Sequence, residues 1–217
     1  MNWKNLNAKY SRLLFLITIL VVSCFEEPYA QQSPFQQLKQ KFEKGRIFHA
    51  DFQHQSVDSY TQDTVSSKGV IWVGKSRYKV HAEHQSVVVN GKTSMVYDDN
   101  RNRVIISKYD PSDDDFAPSR ILNGVDSTFT VSTQEQQGNK FYIKLTSDDP
   151  FAIYKRVEIF LSKNLIPLKI RAIDPVDNII TTTFTKGTFI HPQKNMFELN
   201  YPDGAEIVNL RKQSNSE

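Results

Sequence analysis

The chain has a single cysteine, Cys24, in 217 residues. One cysteine excludes an internal disulfide, so the fold has to be held by its core. It also removes the Cys/His spacings of structural zinc. The five histidines, His49, His54, His81, His84 and His191, offer no metal pair in their place. His81 and His84 stand three apart on a stretch that reads as strand, which sends them to opposite faces. Glycines number only 8, and none forms a phosphate-binding loop or a G-x-S-x-G nucleophile elbow. His49-Ala50-Asp51 puts a His and an Asp on one strand face, without a nucleophile beside them. The formal charge of +3 is too small to mark a nucleic-acid surface. Asp110, Asp113, Asp114 and Asp115 lack the glycine and closing glutamate of an EF-hand and read as a solvated acidic loop. The expectation is a chain with no catalytic residue, no metal and no cofactor.

Long apolar runs are also scarce. The one that stands out, Leu13–Phe25, follows Lys4, Lys9 and Arg12 and is short for a membrane span. Residues 1–30 therefore read as a signal peptide cleaved after Ala30, with Pro28 departing from the small residue preferred there. Val21-Val22-Ser23-Cys24 offers another reading. It loosely resembles a bacterial lipobox, in which Cys24 would be acylated and become the new N-terminus. Both readings predict export.

What the chain has in abundance is strand chemistry. Residues 69–97, GVIWVGKSRYKVHAEHQSVVVNGKTSMVY, are rich in β-branched and aromatic side chains. Gly74-Lys75-Ser76 breaks them, and Asn90-Gly91 predicts a hairpin that pairs Val88 with Thr93. Met95 and Tyr97 then share the Val88 face, while Tyr78, Val80 and Ala82 share one face of the preceding strand. Upstream, Ser33-Pro34 caps a helix whose Phe35, Leu38 and Phe42 form one apolar stripe ending at Gly45. Ile47–Gln55 follows as a strand, and Ser56–Ser67 as a loop or weak edge. A short helix is expected at Pro118–Leu122. Further strands are expected around Phe129–Val131, Phe141–Leu145, Arg156–Leu161, Leu168–Ile173, Ile179–Thr185, Phe197–Leu199 and Glu206–Leu210. Residues 211–217 read as a disordered tail.

Ten or eleven strands at this spacing predict one mainly β domain over residues 31–210, an antiparallel meander curled into a barrel or half-barrel. The 14 Phe, 9 Tyr and 2 Trp exceed what one three-turn helix can cover on such a sheet. A partly covered sheet keeps an apolar cavity, and barrel mouths are common sites for hydrophobic ligands.

Several segments together resemble the LolA family of outer-membrane lipoprotein carriers. Phe48-His49-Ala50-Asp51-Phe52-Gln53 is similar to a family F-x-A-x-F-x-Q pattern. Gly69-Val70-Ile71-Trp72-Val73, Tyr78-Lys79-Val80 and Asn90-Gly91-Lys92-Thr93 with Val96-Tyr97-Asp98 follow in family order. Asp174, Asn178, Phe184, Phe197 and Tyr201-Pro202-Asp203-Gly204-Ala205-Glu206 resemble its closing segments. The resemblance covers residues 33–210. It implies a half-open antiparallel barrel lidded by short helices, with a cavity for lipoprotein acyl chains. It also implies a periplasmic monomer that receives acylated lipoproteins from an inner-membrane release complex and delivers them to an outer-membrane acceptor. An anchored receptor of the LolB type, acylated at Cys24, is the alternative. On this resemblance the cavity wall is expected to include Trp72, Tyr78, Val80, Val88, Met95, Tyr97, Phe129 and Ile143. Lys75 stands where the family carries a lid-holding arginine, and is the candidate latch. Lysine lacks the planar fork of arginine, so a latch here would bond differently.

Overall fold

The computed structural model describes residues 32–110, 121–122 and 129–211. Helix α1 spans Pro34–Glu43. The first six strands are β1 (Ile47–Val57), β2 (Thr64–Val73), β3 (Tyr78–Ala82), β4 (Gln85–Val89), β5 (Thr93–Asp98) and β6 (Arg103–Lys108). The second six are β7 (Thr130–Gln137), β8 (Lys140–Thr146), β9 (Arg156–Ser162), β10 (Pro167–Ile173), β11 (Ile179–Ile190) and β12 (Glu206–Asn209).

The start of α1 follows from its sequence. Ser33 Oγ accepts from the Gln36 amide, and Gln36 Oε1 accepts from the Ser33 amide, both at 3.3 Å. This capping box satisfies donors that the first turn leaves free, and Pro34 adds a φ suited to that turn. Gly45, at φ +74°, ends the helix in a conformation glycine adopts without strain.

All twelve strands form one open sheet in the order β12-β6-β5-β4-β3-β2-β1-β11-β10-β9-β8-β7. Two meanders, β1–β6 and β7–β11, are joined where β1 pairs with β11. Each neighbouring pair is antiparallel except β12 and β6, which run parallel. The expected half-open architecture is present, but not as a single meander. Long-range pairing of β1 with β11 and the return of β12 to β6 leave no trace in local periodicity. Of the segment 56–67, expected as a loop or weakly paired edge, residues 58–63 are loop, while 56–57 and 64–67 are strand, Ser56 pairing with Val65 and Val57 with Thr64. Phe197–Leu199 is not strand; it lies in an irregular segment between β11 and β12. Of the expected short helix Pro118–Leu122, Ile121 and Leu122 are helical and the rest lies outside the described residues.

One face of the sheet, the inner face, carries α1. Phe35, Leu38 and Phe42 point down onto it, and Phe42 meets Phe189 edge-on at 5.4 Å between ring centroids. At its other end, the Phe35 amide donates to Gln134 Oε1 of β7 at 3.1 Å. Beneath the helix Ile143, Val157, Ile159 and Leu161 are fully buried. A helix of 10 residues is about 15 Å long. Twelve strands at about 4.8 Å spacing extend across about 50 Å. From Phe189 of β11 to Gln134 of β7, the helix lies over the β7–β11 side of the inner face and does not reach across β3–β6.

Candidate ligand cleft

The β3–β6 side of the inner face holds a cleft of about 660 Å³. Its floor follows the strand register. Val80 of β3 pairs with Val87 of β4, Val87 with Val96 of β5, and Val96 with Ile105 of β6. Strand geometry sends paired residues to one face, so this row forms an apolar band. Phe52, Tyr78 and Ala82 extend the floor towards the covered core. Polar groups stand around the band: His54, Ser67 and Gln85 towards one end, and Ser94, Ser107, Lys108 and Asp110 towards the other. Phe52, Tyr78 and Val80 also belong to the main core, so the cleft and the core share a wall.

His54, in the cleft lining, has a displaced ionisation. Burial lowers its pKa below the ordinary 6.5, because a charged imidazole loses hydration there. Its Nδ1 lies 2.9 Å from Thr182 Oγ1 across the β1–β11 pair. Tyr142, on the opposite face of the helix-covered side, has its pKa raised, first by burial and then by the nearby Glu158 charge.

Of the eight residues expected in the cavity wall, Tyr78 and Val80 line the cleft. Ile143 is on the inner face but fully buried on the helix-covered side, opposite Ile159. Phe129 packs against the same core just before β7. The other four are displaced to the outer face. Trp72 pairs with Lys79, Lys79 with Val88, Val88 with Met95, and Tyr97 with Val104. That row alternates with the Val80 row, so Trp72, Val88, Met95 and Tyr97 cannot reach the cleft. Their apolar surface has another use. Trp72 stacks on His49 at 5.0 Å, and the segment after β11 crosses the outer face of β3–β5. Lys79 Nζ donates to the Glu198 carbonyl at 2.9 Å. Arg77 sits 4.5 Å above the Phe197 ring, and Tyr97 lies 6.4 Å from Tyr201. The hairpin at Asn90-Gly91 also differs by one step. Val88 pairs with Met95 rather than Thr93, so Gly91-Lys92 forms the tip, with Gly91 at φ +88°.

Sequence reasoning missed Val87 and Val96. The usable signal was the two-residue turn at Glu83-His84, which forces an even-numbered residue of β3 to face an odd-numbered residue of β4. Lys75 sits on the β2–β3 turn, and its Nζ lies 2.6 Å from Glu43 Oε2 at the end of α1. His49 and Asp51 flank a register irregularity in the β1–β11 pair. Asp51 is ion-paired with Lys186 at 2.8 Å. Of the acidic loop, Asp110 lines the cleft and the remainder lies outside the described residues. Among the described residues no cluster of acidic, His or Cys side chains suits a metal ion.

An open sheet whose inner face carries an apolar floor with polar ends is the architecture of a half-open β-barrel scaffold. The chain matches the model of the family "Outer membrane lipoprotein carrier protein LolA" over residues 43–200, and it belongs to that family. The family is one of carriers and binding proteins rather than enzymes. No curated protein matches the chain. Among solved structures, an uncharacterized conserved protein from Thermus thermophilus shares the fold at a TM-score of 0.53 and 13% identity, over 80% of this chain and 98% of that one. A putative outer membrane lipoprotein-sorting protein domain from Vibrio parahaemolyticus aligns at a TM-score of 0.42 and 12% identity, over 76% and 94%. The Mycobacterium tuberculosis lipoprotein LppX aligns at 0.37 and 11% identity, over 71% and 92%.

Proposed function

We propose that the protein is a periplasmic carrier that takes lipoprotein acyl chains into the cleft beside α1 and ferries them from the inner to the outer membrane. The observation that carries this reading is the Val80–Val87–Val96 floor, an apolar band that α1 leaves uncovered. Ten methylenes buried on that floor contribute roughly 8 kcal/mol of gross driving force. The polar groups at both ends keep water at the rim, so net affinity stays moderate and cargo moves to whichever acceptor holds it more tightly. An inner-membrane release complex and an outer-membrane acceptor are the partners this role needs. No cofactor enters, and the carrier acts as a monomer. Export rests on the basic and apolar pattern of residues 1–30, with cleavage after Ala30.

The test is binding of a fluorescent fatty-acid probe to purified protein, paired with mass spectrometry of whatever co-purifies from the native host. Saturable probe binding and co-purifying acylated peptides are expected. A well-folded sample that binds neither overturns the reading. Labelling with a radioactive fatty acid separates a free carrier from an anchored receptor, because incorporation abolished by Cys24→Ala would assign the anchored form.

A further inference from the structure

The most exposed large apolar side chains of the described residues lie away from the cleft floor, at one end of the sheet. Tyr60 is 94% exposed and Phe151 92%, with Val65 at 71% and Val176 at 67%. They belong to the loops 58–63, 147–155 and 174–178 and to the first turn of β2. Register puts these loops side by side. Val57 pairs with both Thr64 and Ile179, Ile173 with both Ile179 and Arg156, and Thr146 with Arg156.

The loops are also tied to each other. The Ser59 amide donates to Asn178 Oδ1 at 2.8 Å, and Ser59 Oγ to the Val176 carbonyl at 2.7 Å. Lys155 Nζ reaches Asp177 Oδ1 at 2.6 Å. A single device presents three of the four apolar residues. Asp58 Oδ1 accepts from the Tyr60 amide, Asp149 Oδ1 from the Phe151 amide and Asp174 Oδ1 from the Val176 amide, each at 2.9 Å. In two of the three the residue between is proline, Pro150 and Pro175, which stiffens the turn. Three aspartates thus hold three apolar tips outward on pre-ordered backbone. Pre-ordering lowers the entropy lost on docking. Large exposed apolar side chains gathered on adjacent loops at one end of a sheet point to an interaction site.

Charge selects the occupant. The three loops carry six aspartates (58, 63, 148, 149, 174 and 177) against Lys155, a net of −5 on a chain whose formal total is +3. Such a ring repels an anionic lipid surface and attracts a cationic one. We propose that this ledge docks a protein partner that presents apolar pockets ringed by lysine and arginine. β1 and β2 carry His54 and Ser67 in the cleft and lead directly into Tyr60 and Val65 on the ledge. A docked partner therefore sits beside one end of the cleft. The ledge stands on its own geometry, whatever fills the cleft.

The test places a photo-crosslinking amino acid at Tyr60 or at Phe151 of the full chain in its native host, with Asn139 at the opposite end of the sheet as control. The expected result is one and the same protein captured from positions 60 and 151 and not from 139, through a peptide of that partner rich in Lys or Arg. Raised salt, or the double change Asp63→Lys with Asp148→Lys, lowers the yield about fivefold or more. Crosslinks into lipid, an acidic partner peptide, or a yield indifferent to charge reversal would overturn the proposal. Flotation on zwitterionic or anionic vesicles that Tyr60→Ser with Phe151→Ser abolishes would also overturn it, and would assign the ledge to a membrane. The same double variant is expected to bind the fatty-acid probe as the parent does. Loss of that binding would make the ledge part of the cleft rather than a separate surface.

Discussion

His54 Nδ1 lies 2.9 Å from Thr182 Oγ1, and the pair sits where the cleft meets the join between the two meanders. Burial holds the imidazole pKa below 6.5. Above that value folded and unfolded chains are both neutral at this position, and it adds no pH dependence. As pH falls through the ordinary value the unfolded chain takes up its proton first, so this group's contribution increasingly favours unfolding and levels off at its full size below the lower folded pKa. A ligand that buries the ring further extends the same sign to binding. Fatty-acid probe affinity is expected to fall as pH is lowered below the ordinary histidine value of 6.5, and His54→Gln to flatten that slope. A slope unchanged in His54→Gln would remove His54 as the group that sets it.

Neighbouring residues of β5 separate the two faces. Val96 lies in the cleft floor and Met95 on the outer face. Val96→Glu is expected to weaken the fatty-acid probe about tenfold or more, about 1.4 kcal/mol, because the carboxylate must be desolvated when the chain binds. Met95→Glu is expected to leave the probe affinity near that of the parent. Equal losses in the two variants would mean that the probe binds elsewhere.

Gly69 pairs with Phe52 on one side and Ala82 on the other. A Cβ there would stand 2.0 Å from the His81 carbonyl oxygen, a backbone atom that cannot step aside. Gly69→Ala is expected to cost about 2–3 kcal/mol and to lower Tm by about 4–12 °C. A melting curve checks it, and an unchanged Tm would mean that β2 and β3 separate more freely than their register implies.

The hold on α1 can be divided between its two attachments. Lys75–Glu43 is a half-exposed ion pair, with a coupling of about 0.2–1 kcal/mol expected from a double-mutant cycle. Phe42 is buried against Phe189, and Phe42→Ala is expected to cost about 3–5 kcal/mol. The apolar stripe thus outweighs the ion pair several-fold in fixing the helix. If Lys75 gates the cleft, Lys75→Ala changes the rate at which the probe enters and leaves while Tm moves little. Stopped-flow rates identical to the parent's would remove Lys75 as a latch.

The elements that could be read from sequence are those written in local pattern. Ser33-Pro34 and Gly45 bounded α1, and alternation marked most of the strands. The site was legible only in part, because facing depends on turns rather than on composition. Tyr78 and Val80 follow from β3 alone. Val87 and Val96 need the Glu83-His84 turn, and without it the Val88, Met95 and Tyr97 row reads equally well as the wall. That row is hydrophobic because it is covered, by a returning segment that shows no periodicity of its own. The pairing of β1 with β11 was illegible for the same reason. Nothing in Ile47–Val57 indicates a partner more than 120 residues away.

That separation has a consequence for how the chain acquires its structure. As the chain is made, β1 can pair with β2 on one edge while the other is bare. It stays bare until β11, almost at the end of the chain, arrives to close it. Loops that long are costly to close, so the join between the meanders sets a slow, late folding step. Until then the Phe48, Ala50 and Phe52 side of β1 is open to solvent, and an open strand edge is prone to pairing with other chains. Truncation before residue 179 would therefore do more than shorten the sheet. It would leave the first meander permanently at its aggregation-prone stage.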